Sequence, residues 1–232
     1  MASKSTIHLP LFPLLVVLYP GMHLPLHIFE ERYKRMIGEC VETKTPFGVV
    51  LVRRGHKAAG PTRIHPIGTL ARIEEVHRLE DGRMNILAVG EHRFVIRRIV
   101  QELPFMRASV SLISHPQSTV SEEEVRALSD ELARLFADYD RLMAQVDEDW
   151  KPHSSVPRNP IDLAYAVAAA ASLPYDRKQE LLSELYLDAL LKRERDLLSE
   201  RCYELRAMLA ARSLLKERQK RFGPMPEAFH LN

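Results

Sequence analysis

The stretch "LPLFPLLVVLYPGMHLPLHIFEERYKRMI", Leu9 to Ile37, is almost uncharged until it turns abruptly into a charged run at Glu30. A membrane span or a secretory leader would need an unbroken apolar helix. Pro10, Pro13, Pro20 and Pro25 deny it, because each lacks an N–H and fixes its own φ. No small-residue cleavage site follows. The stretch is therefore expected to form strands of a folded domain. Pro20-Gly21 has the form of a type II turn, with proline setting φ at the first central position and glycine free to take φ > 0 at the second.

Working outward, "EERYKRMIGECVETK" places Tyr33, Met36, Ile37, Cys40 and Val41 on one face at helical spacing. The strand pattern then resumes. "FGVVLVRRG" from Phe47 is a β-branched run, and "RASVSLI" from Arg107 alternates apolar Ala108, Val110 and Leu112 with polar neighbours. Between them, Asp81-Gly82 predicts a β-hairpin with a type I′ turn, both central residues at φ > 0.

After Ser118 the period changes. Ser121 and Glu124 stand in capping-box register ahead of a long amphipathic helix. Its stripe is Val125, Leu128, Leu132, Leu135, Tyr139, Leu142 and Val146. "DEDWKPHSSVPRNP" lacks periodicity and reads as a loop, and Asn159 then caps a helix with Pro160 at its first position. The remainder reads as helical to about Phe222, interrupted near "SLPYD". The expected organisation is a β domain over residues 1–118 and a helical domain over 119–232.

Bulk properties narrow the function classes. With 232 residues, 46% of them hydrophobic, the chain can bury a substantial core. Its 33 basic and 31 acidic side chains leave a formal charge of +2, so no strong field draws it to nucleic acid. Cys40 and Cys202 are far apart and read as buried apolar thiols rather than a disulfide or a metal knuckle. The expected compartment is the cytoplasm, with no membrane attachment.

A search for chemistry finds little. "GHKAAGPT" from Gly55 has two glycines at Walker spacing, but Pro61 stands where the phosphate-binding lysine belongs, so the segment reads as a surface loop. No G-x-S-x-G, H-E-x-x-H or C-x-x-C occurs. His23 and His27 lie on one strand face but roughly 13 Å apart at the backbone, too far to share a metal. Glu30 and Glu31 are adjacent in a first helical turn, where acids complement the helix dipole. Arg97-Arg98 and "KERQKR" from Lys216 lack interleaved aromatics and read as solvated faces. No catalytic set, cofactor site or metal site is expected.

Several ordered motifs carry a resemblance. "FPLLVVLYPGMHLPLHIFEERYKRMI", "FGVVLVRRG", "IGTLARI" from Ile67, "GEHRF" from Gly90, "LPFMRASV" from Leu103 and "LPYDRKQELLSELYLDALLKRERDLL" from Leu173 together resemble the Lon protease N-terminal domain family. The likeness is closest to its standalone members and runs from about Leu9 to Leu205. Leu15 and Val16 depart from the pattern, standing where Lon proteases usually carry polar residues. The resemblance implies an α+β fold: an N-terminal PUA-like pseudo-β-barrel followed by a C-terminal α-helical bundle. It also implies a non-enzymatic role in recognising unfolded or tagged polypeptides, in partnership with a protease. RNA binding through the PUA-like fold is the alternative, with near-neutral charge against it; a hydrolase hidden in a pocket is a third. Apolar residues at or beside turns are the candidate peptide-binding set: Tyr19, Met22, Phe105 and Met106.

The tail lies beyond the resemblance. Leu198, Cys202, Leu205 and Leu209 continue a helical stripe, while Arg206, Arg212, Lys216, Arg218, Lys220 and Arg221 accumulate towards the helix end. From Ala207 onward the helix must fold back on the barrel or meet another chain as a homo-oligomer. Fold-back is expected, with Gly223, Pro224 and Pro226 ending the helix so that "EAFHLN" packs on the first domain.

Overall fold

The computed structural model describes residues 6–53 and 63–222. Six strands come first, interrupted by one helix: β1 (Thr6–Leu14), β2 (His23–Ile28), α1 (Glu31–Thr43), β3 (Phe47–Leu51), β4 (Ile67–Arg78), β5 (Met84–Gln101) and β6 (Arg107–Leu112). Four helices follow: α2 (Glu122–Val146), α3 (Pro160–Ala170), α4 (Tyr175–Ser183) and α5 (Leu187–Phe222). The α+β class inferred above is the observed one. The segment "GHKAAGPT" lies outside the described residues.

The sheet closes on itself. Its order is β2-β5-β4-β3-β1-β6, and β6 returns to pair with β5. One strand makes closure possible: β5, 18 residues long, pairs with β2 and β4 through its first half and with β6 through its second. Register shifts between Ile96 and Arg98 and between Ile99 and Gln101 bend it round the corner. β1 and β3 pair in parallel, Leu11 opposite Gly48, because β2 and α1 form the crossover between them.

Leu9, Leu11, Val50, Leu70, Phe94, Ala108 and Val110 form one buried cluster of this barrel. Gly48 is required there, since a Cβ would stand 2.7 Å from both Leu11 Cδ2 and Phe94 Cζ. A second cluster seals the barrel with α1, whose buried Tyr33, Met36, Ile37 and Cys40 match the expected face.

The two turns tell different stories. Gly21 has φ +79°, and Met22 N–H closes on the Tyr19 carbonyl at 3.1 Å, as Pro20-Gly21 predicts. At Asp81-Gly82 only Gly82 takes positive φ. Its N–H donates to Leu79 O at 3.0 Å and Leu79 N–H to Arg83 O at 2.8 Å, which makes a three-residue loop ending in glycine rather than type I′. Asp81 keeps ordinary φ and turns its carboxylate to Arg83 N–H at 3.1 Å.

The helical half corrects three further expectations. Ser121 Oγ accepts from Glu124 N–H at 3.2 Å, but the Glu124 carboxylate faces Lys192 at 3.5 Å instead of closing a capping box. The buried ridge of α2 is Val125, Ser129, Leu132, Phe136, Tyr139, Asp140 and Met143, rotated from the predicted stripe so that Leu128, Leu135, Leu142 and Val146 are half-buried. Beyond the break near "SLPYD", a second break at Glu184–Tyr186 separates α4 from α5.

α5 does not fold back. Leu190, Leu191, Leu198, Cys202 and Leu205 are buried against the other helices; Arg206 still pairs with Asp138 of α2 at 3.6 Å, and over residues 207–219 the side chains are exposed apart from half-buried Leu209. "EAFHLN" lies outside the described residues.

Candidate functional site: a cleft between barrel and helices

The four sequence candidates do not converge. Tyr19 is fully buried, and its hydroxyl donates to the Lys178 carbonyl on α4 at 2.7 Å, so it ties the barrel to the helices and cannot meet a peptide. Phe105 is buried in the α1 cluster with the Arg107 guanidinium 4.9 Å from its ring centre. Both belong to the core. Met22 is half-buried beside Tyr19, and Met106 is half-buried against the barrel cluster around Leu9 and Leu11.

Apolar surface instead gathers where β6 ends and α4 gives way to α5. There a cleft of about 420 Å³ is lined by Ile67, Val95, Leu112, Ile113, Ser114, His115, Gln117, Leu185 and Tyr186. Leu112, Leu185 and Tyr186 are large apolar side chains exposed at 41%, 52% and 50%, three on one cleft. Among the described residues its lining holds no lysine, arginine, aspartate or glutamate.

The wall of this cleft exists because the helix is interrupted. Arg93, 2% exposed on β5, sends its guanidinium to the carbonyls of Leu182, at 2.8 Å, and of Glu184, taking the acceptors at the end of α4. It also donates to Ser114 O at 3.2 Å on the opposite wall. The Glu184 carboxylate accepts from the N–H groups of Leu185 and Tyr186 at 2.8 and 3.2 Å, which turns the chain out of the helix and projects both side chains. Gln117 then pairs with this segment: its carbonyl accepts from Leu187 N–H at 2.9 Å. Arg93 lies in the "GEHRF" motif, so a motif of unknown role becomes the clamp that shapes the cleft.

Behind the clamp lies a polar interior. The Tyr165 ring stands 6.1 Å from that of Tyr19 and 5.9 Å from the Arg93 guanidinium. Burial raises the Tyr165 hydroxyl to about 12, and among the described residues neither it nor the Glu194 carboxylate has a hydrogen-bond partner. Burial also holds Glu194 well above the usual carboxylate range, so it stays protonated where an exposed glutamate would ionise.

Other groups that might carry chemistry are accounted for structurally. Burial pushes the Cys40 thiol up to about 11 and raises Cys202, so neither is a thiolate near neutral pH. His23 faces Glu74 at 3.3 Å, while His27 bonds Asn85 at 2.7 Å, each on a separate partner. Glu30 stands at the N-cap position of α1 without a side-chain cap bond, its carboxylate accepting from Arg32 instead, and Glu31 pairs with Lys34. Arg97 donates to Ser111 Oγ at 3.1 Å. Among the described residues no group of three or more His, Cys, Asp or Glu could hold a metal ion, and no helix is long and apolar enough to cross a membrane.

The chain thus joins a closed barrel to a helical bundle, with an apolar cleft at the join. Residues 8–200 match the ATP-dependent protease La (LON) substrate-binding domain, and the chain belongs to that family. Curated relatives include the Lon protease of Anaeromyxobacter dehalogenans, 28% identical over 195 residues, which are 83% of this chain and 23% of that protein. Over a shorter stretch, the Lon protease of Cytophaga hutchinsonii is 33% identical over 123 residues, 52% of this chain and 15% of that protein. The match thus spans about a quarter or less of these relatives.

Solved structures agree on the fold. A Lon N-terminal domain protein from Xanthomonas campestris superposes with a TM-score of 0.57 at 24% identity, covering 81% of this chain and 96% of that one. The N-terminal domain of the Mycobacterium avium complex Lon protease gives a TM-score of 0.59 at 20% identity, covering 83% and 98%.

Proposed function

We propose that this protein is a non-enzymatic recognition module of the cytoplasm that holds unfolded or tagged polypeptide segments in the cleft between barrel and helices, for transfer to a protease. The observation that carries the reading is the convergence of exposed Leu112, Leu185 and Tyr186 on one cleft whose shape is fixed by Arg93. Exposed apolar side chains around a preformed groove gain affinity by excluding water from a client's apolar residues, at little ordering cost to the protein. An uncharged lining suits clients that differ in charge but share apolar character. The same lining gives RNA binding no support, because a phosphate backbone would need lysines or arginines along its path.

The test uses reduced, carboxymethylated lactalbumin as a permanently unfolded probe, with binding followed by fluorescence anisotropy. Tyr186→Ser and Leu185→Ser are expected each to weaken binding roughly tenfold, about 1.4 kcal/mol, while the native protein's affinity changes little between low and high salt. Unaltered binding by both variants, or affinity collapsing with salt, would sink the reading. Loss of casein or ATP turnover is not expected to accompany either change, since the purified protein is expected to show none.

A further inference from the structure

α5 changes its apolar face partway along. Up to Leu205 the buried positions, Leu191, Glu194, Leu198, Cys202 and Leu205, face the other helices. Beyond it the same side carries half-buried Leu209 and then Arg212, Ser213 and Lys216, so past Leu209 it offers no apolar side chain to draw the helix against the body. A second stripe begins about 140° round the helix, at 100° per residue. It consists of Tyr203, Ala207, Met208, Ala211, Leu214 and Leu215. Tyr203 is exposed at 74%, Leu214 at 66%, Leu215 at 54% and Met208 at 51%. A single-faced apolar stripe on a helix that projects about 24 Å past Arg206, which pairs with Asp138 of α2, needs a cover.

We infer that this stripe pairs with the same stripe of a second copy, the two α5 helices running antiparallel about a two-fold axis near Leu209. The charges flanking it decide the partner. On the same side, Asp196, Glu200 and Glu204 precede the apolar positions, and Arg218 follows them. In an antiparallel pair centred there, Tyr203 meets Leu215, Ala207 meets Ala211, and Glu200 meets Arg218 of the second copy. Each copy therefore supplies both halves of each contact, as a two-fold interface requires. The alanines at the crossing let the backbones approach closely. Among the described residues neither Glu200 nor Arg218 has an ion-pair partner within the chain, so both are available to one. A cleft of about 540 Å³ opens beside the stripe, lined by Glu200 and Leu197 together with Arg177 and the Arg201–Glu204 pair, so within it Glu200 is the acid left for the second copy's Arg218. A parallel arrangement would instead set acids beside acids and the basic ends beside each other.

Such an interface is shorter than the roughly 1,200–2,000 Å² of a stable pair, so association should be weak and concentration-dependent. The full chain is examined by sedimentation velocity from about 1 to 100 µM, the range a sub-standard interface implies. We expect a monomer–dimer equilibrium, and a monomer at every concentration for Leu214→Glu. Glu200→Arg and Arg218→Glu are each expected to weaken dimerisation at least tenfold, and the double reversal to restore it. All three substitutions change exposed side chains, so circular dichroism melts of the four variants should match the native protein. The inference is overturned by a native monomer throughout, by a dimer indifferent to Leu214→Glu, or by a double reversal that fails to restore pairing. A monomer whose melting temperature drops with Leu214→Glu would mean that the chain's own residues 223–232 cover the stripe, and would overturn it equally.

Discussion

Arg93 on β5 donates to the carbonyl of Leu182 at the end of α4, 2.8 Å away and 89 residues along the chain. With its bonds to Glu184 and Ser114, this one side chain ends a helix, fixes both walls of the cleft and joins barrel to bundle. Burial lowers its pKa, yet an arginine remains charged, and three carbonyls take the place of a carboxylate partner. Arg93→Met should cost about 3 kcal/mol, because it strands buried carbonyl acceptors. Arg93→Lys should recover little of this, since an ammonium cannot reproduce the planar fork. Urea unfolding of both variants checks the expectation; a lysine variant as stable as the native protein would contradict it.

Gly90 on β5 receives the Pro20-Gly21 turn. Gly21 N–H donates to Gly90 O at 2.8 Å, and Gly90 N–H to Met22 O at 3.0 Å. A Cβ here would collide with the Tyr19 carbonyl oxygen, which is backbone and cannot swing away. Gly90→Ala should therefore lower stability by about 2 kcal/mol or more and loosen the Tyr19 contact with α4. Thermal melting tests the first effect, and an unchanged melting temperature would show that the turn can shift freely.

Asp140, 5% exposed on α2, accepts from His153 N–H at 2.8 Å and Trp150 Nε1–H at 3.2 Å. It pins the loop of residues 147–159, whose prolines and polar residues break helical periodicity and leave backbone open to a protease. In the native protein cleavage between Asp147 and Pro160 should still come first, but slowly. Asp140→Ala should speed it severalfold by releasing both anchors. Mass spectrometry of early tryptic fragments reads the outcome, and equal cleavage rates would show that the anchors do not hold the loop.

Glu194 is 1% exposed, and burial raises its pKa. A glutamate in the unfolded chain titrates near 4.3, so above about that pH the unfolded state releases a proton that the folded state keeps. The folded state then binds more protons, and stability falls as pH rises from the unfolded value towards the raised folded one. Glu194→Gln removes this linkage. Relative to the native protein the variant should gain stability between pH 5 and 8, at no more than about 1.4 kcal/mol per pH unit. Parallel urea titrations at the two pH values decide it, and a difference independent of pH would refute the assignment.

How far the sequence was legible depended on whether local signals agreed with tertiary ones. Pro20-Gly21, the α1 face and the Asn159 cap, which accepts from Ile161 and Asp162 N–H, were readable because one short segment fixes each. β5 was not readable as one strand, because its neighbours change along its length and its bulges break the period of two. The α2 face was misplaced because two of its buried residues are polar, Ser129 and Asp140. Tyr19 and Phe105 stood as candidates for a peptide-binding patch because turn proximity does not reveal which way a side chain packs. The cleft was invisible since Leu185 and Tyr186 sit in a helical-looking run, and the break there is imposed by Arg93, distant in sequence. The one available trace was a pair of large apolar residues out of step with the stripe that begins at Leu187.

The claim that clients lie in the cleft between barrel and helices is tested most directly by photo-crosslinking. Carboxymethylated lactalbumin carrying a benzophenone label is bound to the full protein, irradiated and digested, and the adducts are located by mass spectrometry. The account predicts adducts concentrated on residues 112–117 and on Leu185 and Tyr186, lost when excess unlabelled probe competes. Competable adducts concentrated instead around exposed Phe29, Leu15 or Leu103, with residues 112–117 and 185–186 untouched, would contradict it.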